Sequence, residues 1–172
     1  MKQRLLILAA VILVFIGTVV GKAVLYAADP VASVTLNAAN AQPRQVEDLT
    51  EKAIVREYGA AWQNLSRALK ENNASLLDQS FVGAAHQTFR KQIEEQKAAG
   101  IATNYVDKGH KLDVLFYSPE GSALQFRDTA TLEVQLLENG KVIHTEQLQQ
   151  QYVGLMTVYG DRWRVRILQP VK

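Results

Sequence analysis

The sequence opens with a long apolar stretch. Residues Leu5 to Ala28 read LLILAAVILVFIGTVVGKAVLYAA and contain one charged side chain, Lys22. A helix needs about 20 apolar residues, at 1.5 Å each, to cross a bilayer, so this stretch predicts a transmembrane helix. The alternative is a cleaved signal peptide, although small residues at the cleavage positions fit this segment poorly.

The remaining chain divides into a linker and one folded domain. Residues 29–47 are rich in Ala, Asn, Pro and Gln and show no sustained period, which is typical of a linker. Hydrophobic periodicity begins after this segment and continues close to the C-terminus. We therefore predict a membrane anchor over residues 1–28, a linker over 29–47 and a folded domain over 48–172.

Three helices are predicted in the first half of the domain. The segment Asp48-Leu-Thr-Glu51 has the form of a capping box, and apolar residues then recur every three or four positions to about Lys70. A short second helix is expected to end near Leu77. A third helix ends at Gly100, because glycine commonly follows the last helical turn.

The hydrophobic period then changes from 3.6 to 2. Alternating residues predict strands over about 112–117, 124–136, 142–158 and 162–167, and Asn139-Gly140 is a strong hairpin signal. Helices followed by a meander of long strands indicate an α+β fold. We predict an N-terminal transmembrane helix followed by three helices packed on a curved antiparallel sheet of about four strands.

Composition and charge exclude several classes of function. The chain has no cysteine, which excludes disulfides and thiolate metal sites. Of its 19 basic residues, Lys2, Arg4 and Lys22 belong to the anchor segment, leaving 16 basic residues against 17 acidic ones. A nearly neutral domain has no overall field to attract nucleic acid, so we predict no nucleic-acid partner.

The order of elements and the last strand resemble the nuclear transport factor 2-like superfamily of cone-shaped α+β domains. The end of the sequence carries a polar turn at Gly160-Asp161, then Trp163 and the alternating apolar residues Val165 and Ile167. The resemblance covers about Leu49–Leu168. Membrane-anchored bacterial members look most similar, namely the periplasmic domains of type IV secretion inner-membrane subunits, and chloroplast-division IMS-type domains are similar in their last strands. The superfamily contains isomerases, dehydratases and non-catalytic scaffolds, so the resemblance implies a fold and not one function.

Asp128 is the best candidate for chemistry. In enzymes of this superfamily the cone interior supplies an acid or base together with tyrosine donors, and the resemblance extends that expectation to Asp128 and Tyr58. Asp128 lies between Phe126 and Ala130 in an apolar alternation, so it is expected to point inward, where burial raises the pKa of a carboxyl group. The alternatives are a strand irregularity that turns Asp128 outward and a purely structural ion pair.

The three histidines predict neither a metal site nor a cofactor. His86, His110 and His144 are scattered, no pair has metal-ligand spacing, and no nucleotide loop or covalent cofactor motif appears. Asp107 and Asp113 flank His110, an arrangement that fits either a polar site or a turn of solvated charges. We expect the solvated turn.

Two strand faces are candidates for partner binding. Arg162, Arg164 and Arg166 recur at every second residue, a spacing that suits an acidic partner surface, lipid headgroups or cross-strand pairing with glutamates. Gln147 and Gln149 belong to an uncharged outer face of the preceding strand. Such a face loses its water more easily than a charged one and is therefore a second candidate contact.

These features predict a location and a function. Basic residues before the apolar stretch place the N-terminus inside a bacterial cytoplasmic (inner) membrane and the domain on the periplasmic, extracytoplasmic side, with membrane lipid contacting Leu5–Ala28. The lack of a convergent catalytic set favours a non-enzymatic accessory or scaffold subunit. It would dock on an integral membrane protein complex or form a homo-oligomer. The alternatives are a small-molecule-binding or isomerase-like cone that uses Asp128, and a secreted soluble domain after signal cleavage.

Overall fold

The computed structural model describes residues 33–171, which contain a five-stranded sheet, two α-helices and one short 3₁₀ helix. The elements in chain order are β1 (Val34–Asn37), α1 (Asp48–Lys70), the 3₁₀ helix (Ala74–Leu77), α2 (Gly83–Ala98), β2 (Ile101–Tyr117), β3 (Ala123–Glu138), β4 (Lys141–Tyr159) and β5 (Arg162–Pro170).

The sheet has the simple order β1-β2-β3-β4-β5. Strands β2 to β5 form an antiparallel meander, and β1 pairs in parallel with β2 over residues 110–113. The β3–β4 hairpin turns at Asn139 and Gly140, which have φ values of 49° and 74°. Positive φ at both turn residues matches the twist of the flanking strands, so the predicted hairpin forms where the sequence places it.

Helix α1 packs on one face of the sheet. Its buried side recurs at helical spacing and includes Ile54, Tyr58, Ala61, Leu65 and Leu69. This stripe joins the inward residues of the sheet in one hydrophobic core. The predicted capping box does not form, because the residue before the helix is Glu47, which makes no side-chain capping bond.

The predicted count of three helices and four strands is wrong. The predicted second helix is only the four-residue 3₁₀ helix, which Asn73 caps by accepting the Ser75 backbone N–H at 3.2 Å. After Leu77 the chain turns, and the Val82 N–H donates to the Val165 carbonyl of β5. The additional strand is β1, whose Val34 and Leu36 alternate with polar residues. Four residues are too few to establish a period, so β1 was not predicted within residues 29–47.

The predicted transmembrane helix is not among the elements described. Leu5–Ala28 lies outside the described residues, as does the region where a signal peptide would be cleaved. Between residues 33 and 171, no helix has the length and hydrophobicity needed to cross a membrane. This finding contradicts the predicted localisation, a single-pass protein of the bacterial inner membrane with a periplasmic domain.

A close contact between β3 and β4 generates the first prediction. A β-carbon on Gly154 would lie 2.3 Å from Cζ of Phe126, a side chain that is fully buried. We expect Gly154→Ala to lower the free energy of unfolding by roughly 1–3 kcal/mol, because an overpacked core must displace its neighbours. Guanidinium denaturation measures this change.

Gly59 in α1 provides a matched control. A β-carbon there would meet only Val34 Cγ2, at an ordinary contact distance of 3.5 Å. Alanine is more stable than glycine inside a helix by about 1 kcal/mol, so Gly59→Ala is expected to raise the free energy of unfolding. An equal loss of stability in both variants would contradict the proposed clash.

Candidate functional site

A chain of four polar side chains crosses the core beneath α1. The Tyr58 hydroxyl donates to Oδ2 of Asp128 at 2.8 Å, and the same oxygen lies 2.8 Å from Nδ1 of His110. Nε2 of His110 lies 2.9 Å from Oδ2 of Asp107. We call Tyr58, Asp128, His110 and Asp107 the buried polar network. It connects α1 to the two central strands β2 and β3.

An irregularity in β2 brings both Asp107 and His110 to the inner face. The register of β2 against β3 shifts between Asp107 and Gly109, so Asp107 is opposite Leu132 and His110 is opposite Ala130. The Gly109 backbone N–H donates to Oδ1 of Asp107 at 2.9 Å and holds this bulge. Without the extra residue, two side chains three positions apart would point to opposite faces.

Aromatic rings pack around the inner part of the network, at Asp128 and His110. The Trp62 ring lies 4.5 Å from the His110 ring, and Tyr58 meets His110 edge-on at 5.5 Å between ring centres. Tyr152 lies 5.6 Å from Trp62 on its other side. Asp128 is 0% exposed and His110 is 2% exposed. The charges in the network therefore interact with little screening by water.

The two carboxylates keep His110 protonated. Burial by itself lowers the pKa of His110, but its hydrogen bonds to Asp107 and Asp128, together with the charges of these carboxylates, raise it to about 9. At neutral pH the ring is therefore an imidazolium that donates from both nitrogens. Burial and the charge of Asp128 raise the pKa of Tyr58 well above its usual value, so the phenol is a neutral donor.

This arrangement limits the chemistry that the network can perform. A doubly paired imidazolium has no lone pair, so His110 cannot act as a general base near neutral pH. Oδ2 of Asp128 already accepts from two donors. Within residues 33–171, Oδ1 of Asp128 and Nε1 of Trp62 are buried polar atoms without a hydrogen-bond partner. They are the two groups of this site with unused hydrogen-bonding capacity.

The structure adds His110 and Asp107 to the pair that the sequence indicated. Asp128 and Tyr58, the predicted catalytic candidates, are in direct contact. The predicted solvated turn around His110 is wrong, because His110 is buried and pairs with Asp107. Asp113 lies elsewhere and accepts from the Asn37 side chain at 2.9 Å. The useful signal was Gly109 between Asp107 and His110, since a glycine inside a strand pattern often marks a bulge.

The three arginines of the last strand, Arg162, Arg164 and Arg166, do not form one regular row in the structure. Arg164 donates to the backbone carbonyl of Asp78 at 3.0 Å and lies over the Tyr159 ring at 4.8 Å. Arg166 packs beside Gly83, and only Arg162 and Arg166 are exposed. A register shift between β4 and β5 at this point breaks the regular spacing. Contact of these arginines with a partner stays a prediction.

Gln147 and Gln149 lie on the exposed outer face of β4. Gln147 donates to Oε2 of Glu133 on the neighbouring strand at 2.6 Å. Both side chains belong to the surface that the sequence indicated. Their role in binding a partner also stays a prediction.

Among solved structures, the intermembrane space region of the chloroplast protein ARC6 has a similar fold. The match has a TM-score of 0.62 at 12% sequence identity and covers 74% of this chain and 98% of that one. The described domain has the nuclear transport factor 2-like fold. Aln2 from a Streptomyces species matches at a TM-score of 0.48 and 9% identity, over 74% of this chain and 94% of that one.

The likeness to the ARC6 region shows the fold alone and carries no information on activity. No protein-family model and no curated protein matches the sequence. The nuclear transport factor 2-like fold supports many functions, so function must be argued from the residues of this chain.

The protonated state of His110 predicts how stability depends on pH. The pKa of His110 rises from 6.5 to about 9 on folding, so this proton contributes about 3 kcal/mol to stability. The contribution is fully present below pH 6.5 and is lost as the pH rises through 9. We expect urea unfolding at pH 6, 7.5, 9 and 10 to give a steadily decreasing free energy of unfolding.

Two histidine variants test the source of this slope. His110→Gln removes the titrating group and is expected to flatten the slope between pH 6.5 and 9. His86→Gln removes an exposed histidine pair with Asp78 and is expected to retain it. A wild-type free energy of unfolding that stays constant over this range would show that His110 is not held as an imidazolium.

Proposed function

We propose that this chain is a non-enzymatic docking domain that assembles with a protein partner through an open edge of its sheet. The observation that carries the proposal is the unpaired outer edge of β4. Strand β5 pairs with β4 only over Tyr152–Tyr159. Within residues 33–171, no strand pairs with the outer side of residues 141–150. An unpaired edge of this length is a template for another strand.

The free edge of β2 and the outer edge of β5 are partly covered. On β2, the Ser66 side chain donates to the Tyr105 carbonyl at 2.8 Å, and Asn72 donates to the Ile101 carbonyl at 2.9 Å. On β5, the Val165 backbone is paired on its outer side with residues 80–82 at 2.9 Å. Side chains or backbone from the helical layer thus satisfy edges that would otherwise attract a strand.

The backbone of the predicted contact residues points toward the open side. The Val171 N–H donates to the Gln151 carbonyl at 2.8 Å, so the backbone of Gln151 faces the β5 side of the strand. Antiparallel pairing alternates this direction at every second residue. Gln149, Gln147 and Thr145 therefore present their N–H and C=O groups to the open edge, with no proline to block them.

The buried polar network supports the non-enzymatic part of the proposal. Its members bond chiefly to one another, and Asp128 and His110 are shielded from solvent. An acid or base that works on a substrate must reach it within hydrogen-bonding distance. A doubly paired imidazolium between two carboxylates is better suited to fixing α1 on the sheet. The resemblance to type IV secretion subunits remains a hypothesis about the class of complex.

Gln147→Pro tests whether the edge carries docking. Proline removes the outward N–H while remaining compatible with an edge strand, and the loss of a backbone hydrogen bond plus the bulk of the ring should weaken pairing about tenfold. We expect the tagged full-length Gln147→Pro variant to form about tenfold less of the stoichiometric assembly, as measured by chemical cross-linking and native mass spectrometry.

The control for this variant is Gln147→Thr, which changes the same side chain and retains the backbone donor. It is expected to assemble as the wild type does. Equal melting temperatures of the two variants would establish that the proline leaves the fold intact. Unchanged assembly in a folded Gln147→Pro variant would remove the edge from the proposal.

A second candidate function is the binding of a small molecule within the cone, as the isomerase-like alternative requires. The observation in its favour is the pair of buried atoms with unused hydrogen-bonding capacity, Oδ1 of Asp128 and Nε1 of Trp62. A small cyclic ketone offers complementary chemistry, since its carbonyl accepts from an indole N–H and its α-carbon carries protons that a carboxylate can remove.

Tryptophan indole resonances test this second function directly. The chain has two tryptophans, and Trp163 lies on β5 as an internal reference. If the cone binds such ligands, titration with small cyclic ketones is expected to shift the Trp62 indole N–H resonance and leave that of Trp163 unchanged. An unchanged Trp62 resonance at millimolar ketone would reject the second function for this ligand class.

A further inference from the structure

Resting on the proposed docking function, we infer that the strand partner is a second copy of this chain. The two β4 strands pair antiparallel at their open edges, with Thr145 of one copy facing Thr145 of the other. The pairing joins two five-stranded sheets into one continuous sheet. Three observations carry the inference: the direction of the edge backbone, the residue pattern along the edge and the exposed side chains beside it.

The geometry of a symmetric pair restricts the possible registers. A two-fold axis perpendicular to the shared sheet keeps the inner faces of both copies on the same side. Each residue is then opposite a residue of the second copy whose side chain lies on the same face of the sheet. The axis must therefore pass through one residue, which is opposite the same residue of the second copy. Regular pairing of β4 with β3 extends from His144 toward the C-terminal end of β4, because the register shifts just before His144.

The sequence of the open edge distinguishes among these registers. An axis at Thr145 places a threonine pair at the centre, and it places His144 opposite Glu146 twice. An axis at Glu146 would place two like charges directly opposite each other, which is destabilising. An axis at Gln147 would leave His144 opposite Gln150 and Glu146 opposite Leu148. Only the first of these registers is self-complementary in charge and polarity.

The backbone directions are consistent with the same register. Thr145 presents its N–H and C=O to the open edge, so two facing copies can exchange both hydrogen bonds. Ile143 is the extra residue of the bulge in β4, so the regular hydrogen bonds of the inferred pair are centred on Thr145 and its copy. His144 and Glu146 are exposed, and neither makes a side-chain hydrogen bond within residues 33–171, so both side chains are available.

Pairing would also shelter apolar surface at the end of the hairpin. Val142 and Ile143 are 51% and 54% exposed, among the most exposed large apolar residues of the described chain. The second copy would place Gln147 and its neighbours beside them. Apolar residues beside an open strand edge otherwise favour uncontrolled pairing, which a closed symmetric dimer prevents by occupying the edge.

A single engineered cysteine tests the register in the full-length chain. The natural sequence has no cysteine, so Thr145→Cys introduces the only thiol. Directly opposite residues in a hydrogen-bonded antiparallel pair have Cα atoms about 5.5 Å apart, within disulfide range. We expect mild oxidation at micromolar protein to convert most of the Thr145→Cys chain to a disulfide-linked dimer.

Gln149→Cys is the matched control on the same exposed edge. In the inferred register the two copies of residue 149 lie eight positions apart along the strands, a separation of about 27 Å. This variant is therefore expected to remain at least tenfold less cross-linked. Equal cross-linking of the two cysteine variants would indicate random collision and would overturn the inference.

A charge exchange checks the pairing of His144 with Glu146. In the Thr145→Cys background, His144→Glu creates a like-charge pair and is expected to reduce cross-linking severalfold. Adding Glu146→Lys restores opposite charges and is expected to recover it. A lack of recovery would reject this register even if a dimer forms.

The outcomes separate this inference from the docking proposal. If Thr145→Cys does not cross-link while Gln147→Pro still abolishes assembly, the edge docks another protein and the inferred self-pairing is wrong. If neither variant has an effect, the edge is not an interface and both fail. If Gln147→Pro reduces the yield of the Thr145→Cys cross-link about tenfold, the docking proposal and the inferred self-pairing are both supported.

Discussion

A buried carboxylate imposes the main constraint on this fold. Asp128 is fully enclosed, and an unpaired charge there would be strongly destabilising. His110 supplies the compensating charge, Asp107 orients the far nitrogen of the ring, and Tyr58 donates from the helix above. These residues belong to three different elements, α1, β2 and β3. The position of α1, the bulge in β2 and the register of β3 are therefore coupled through one set of hydrogen bonds.

The proposed docking function lies at the periphery of the domain, because the core is closed and the edge of β4 is open. Inside, the polar groups are directed at one another and aromatic rings cover them. Outside, β4 continues well past the end of β5 and presents backbone groups with no strand partner among the described residues. Forming the long β3–β4 hairpin loses little conformational entropy in the turn, because Asn139-Gly140 favours the turn geometry. The same domain can thus combine a rigid interior with a surface prepared for strand pairing.

Sequence patterns predicted the parts of the structure that follow a regular period. Alternation identified the inward position of Asp128, helical spacing identified the face of α1 that carries Tyr58, and Asn139-Gly140 located the central hairpin. The pattern failed where one residue interrupts it. The bulge before His110 turns Asp107 to the inner face against the alternation, β1 is too short to show a period, and the expected second helix is a single 3₁₀ turn. His110 itself continues the buried alternation of Leu112 and Val114.

The packing of Gly154 against Phe126 also has a consequence for the evolution of this sequence. The aromatic ring occupies the volume that any side chain at position 154 would need. Protein cores are packed to nearly constant density, so bulk gained at one of these positions must be surrendered at the other. In homologous sequences that retain this core, residues 126 and 154 should therefore change together. A smaller side chain at position 126 should accompany a larger one at position 154.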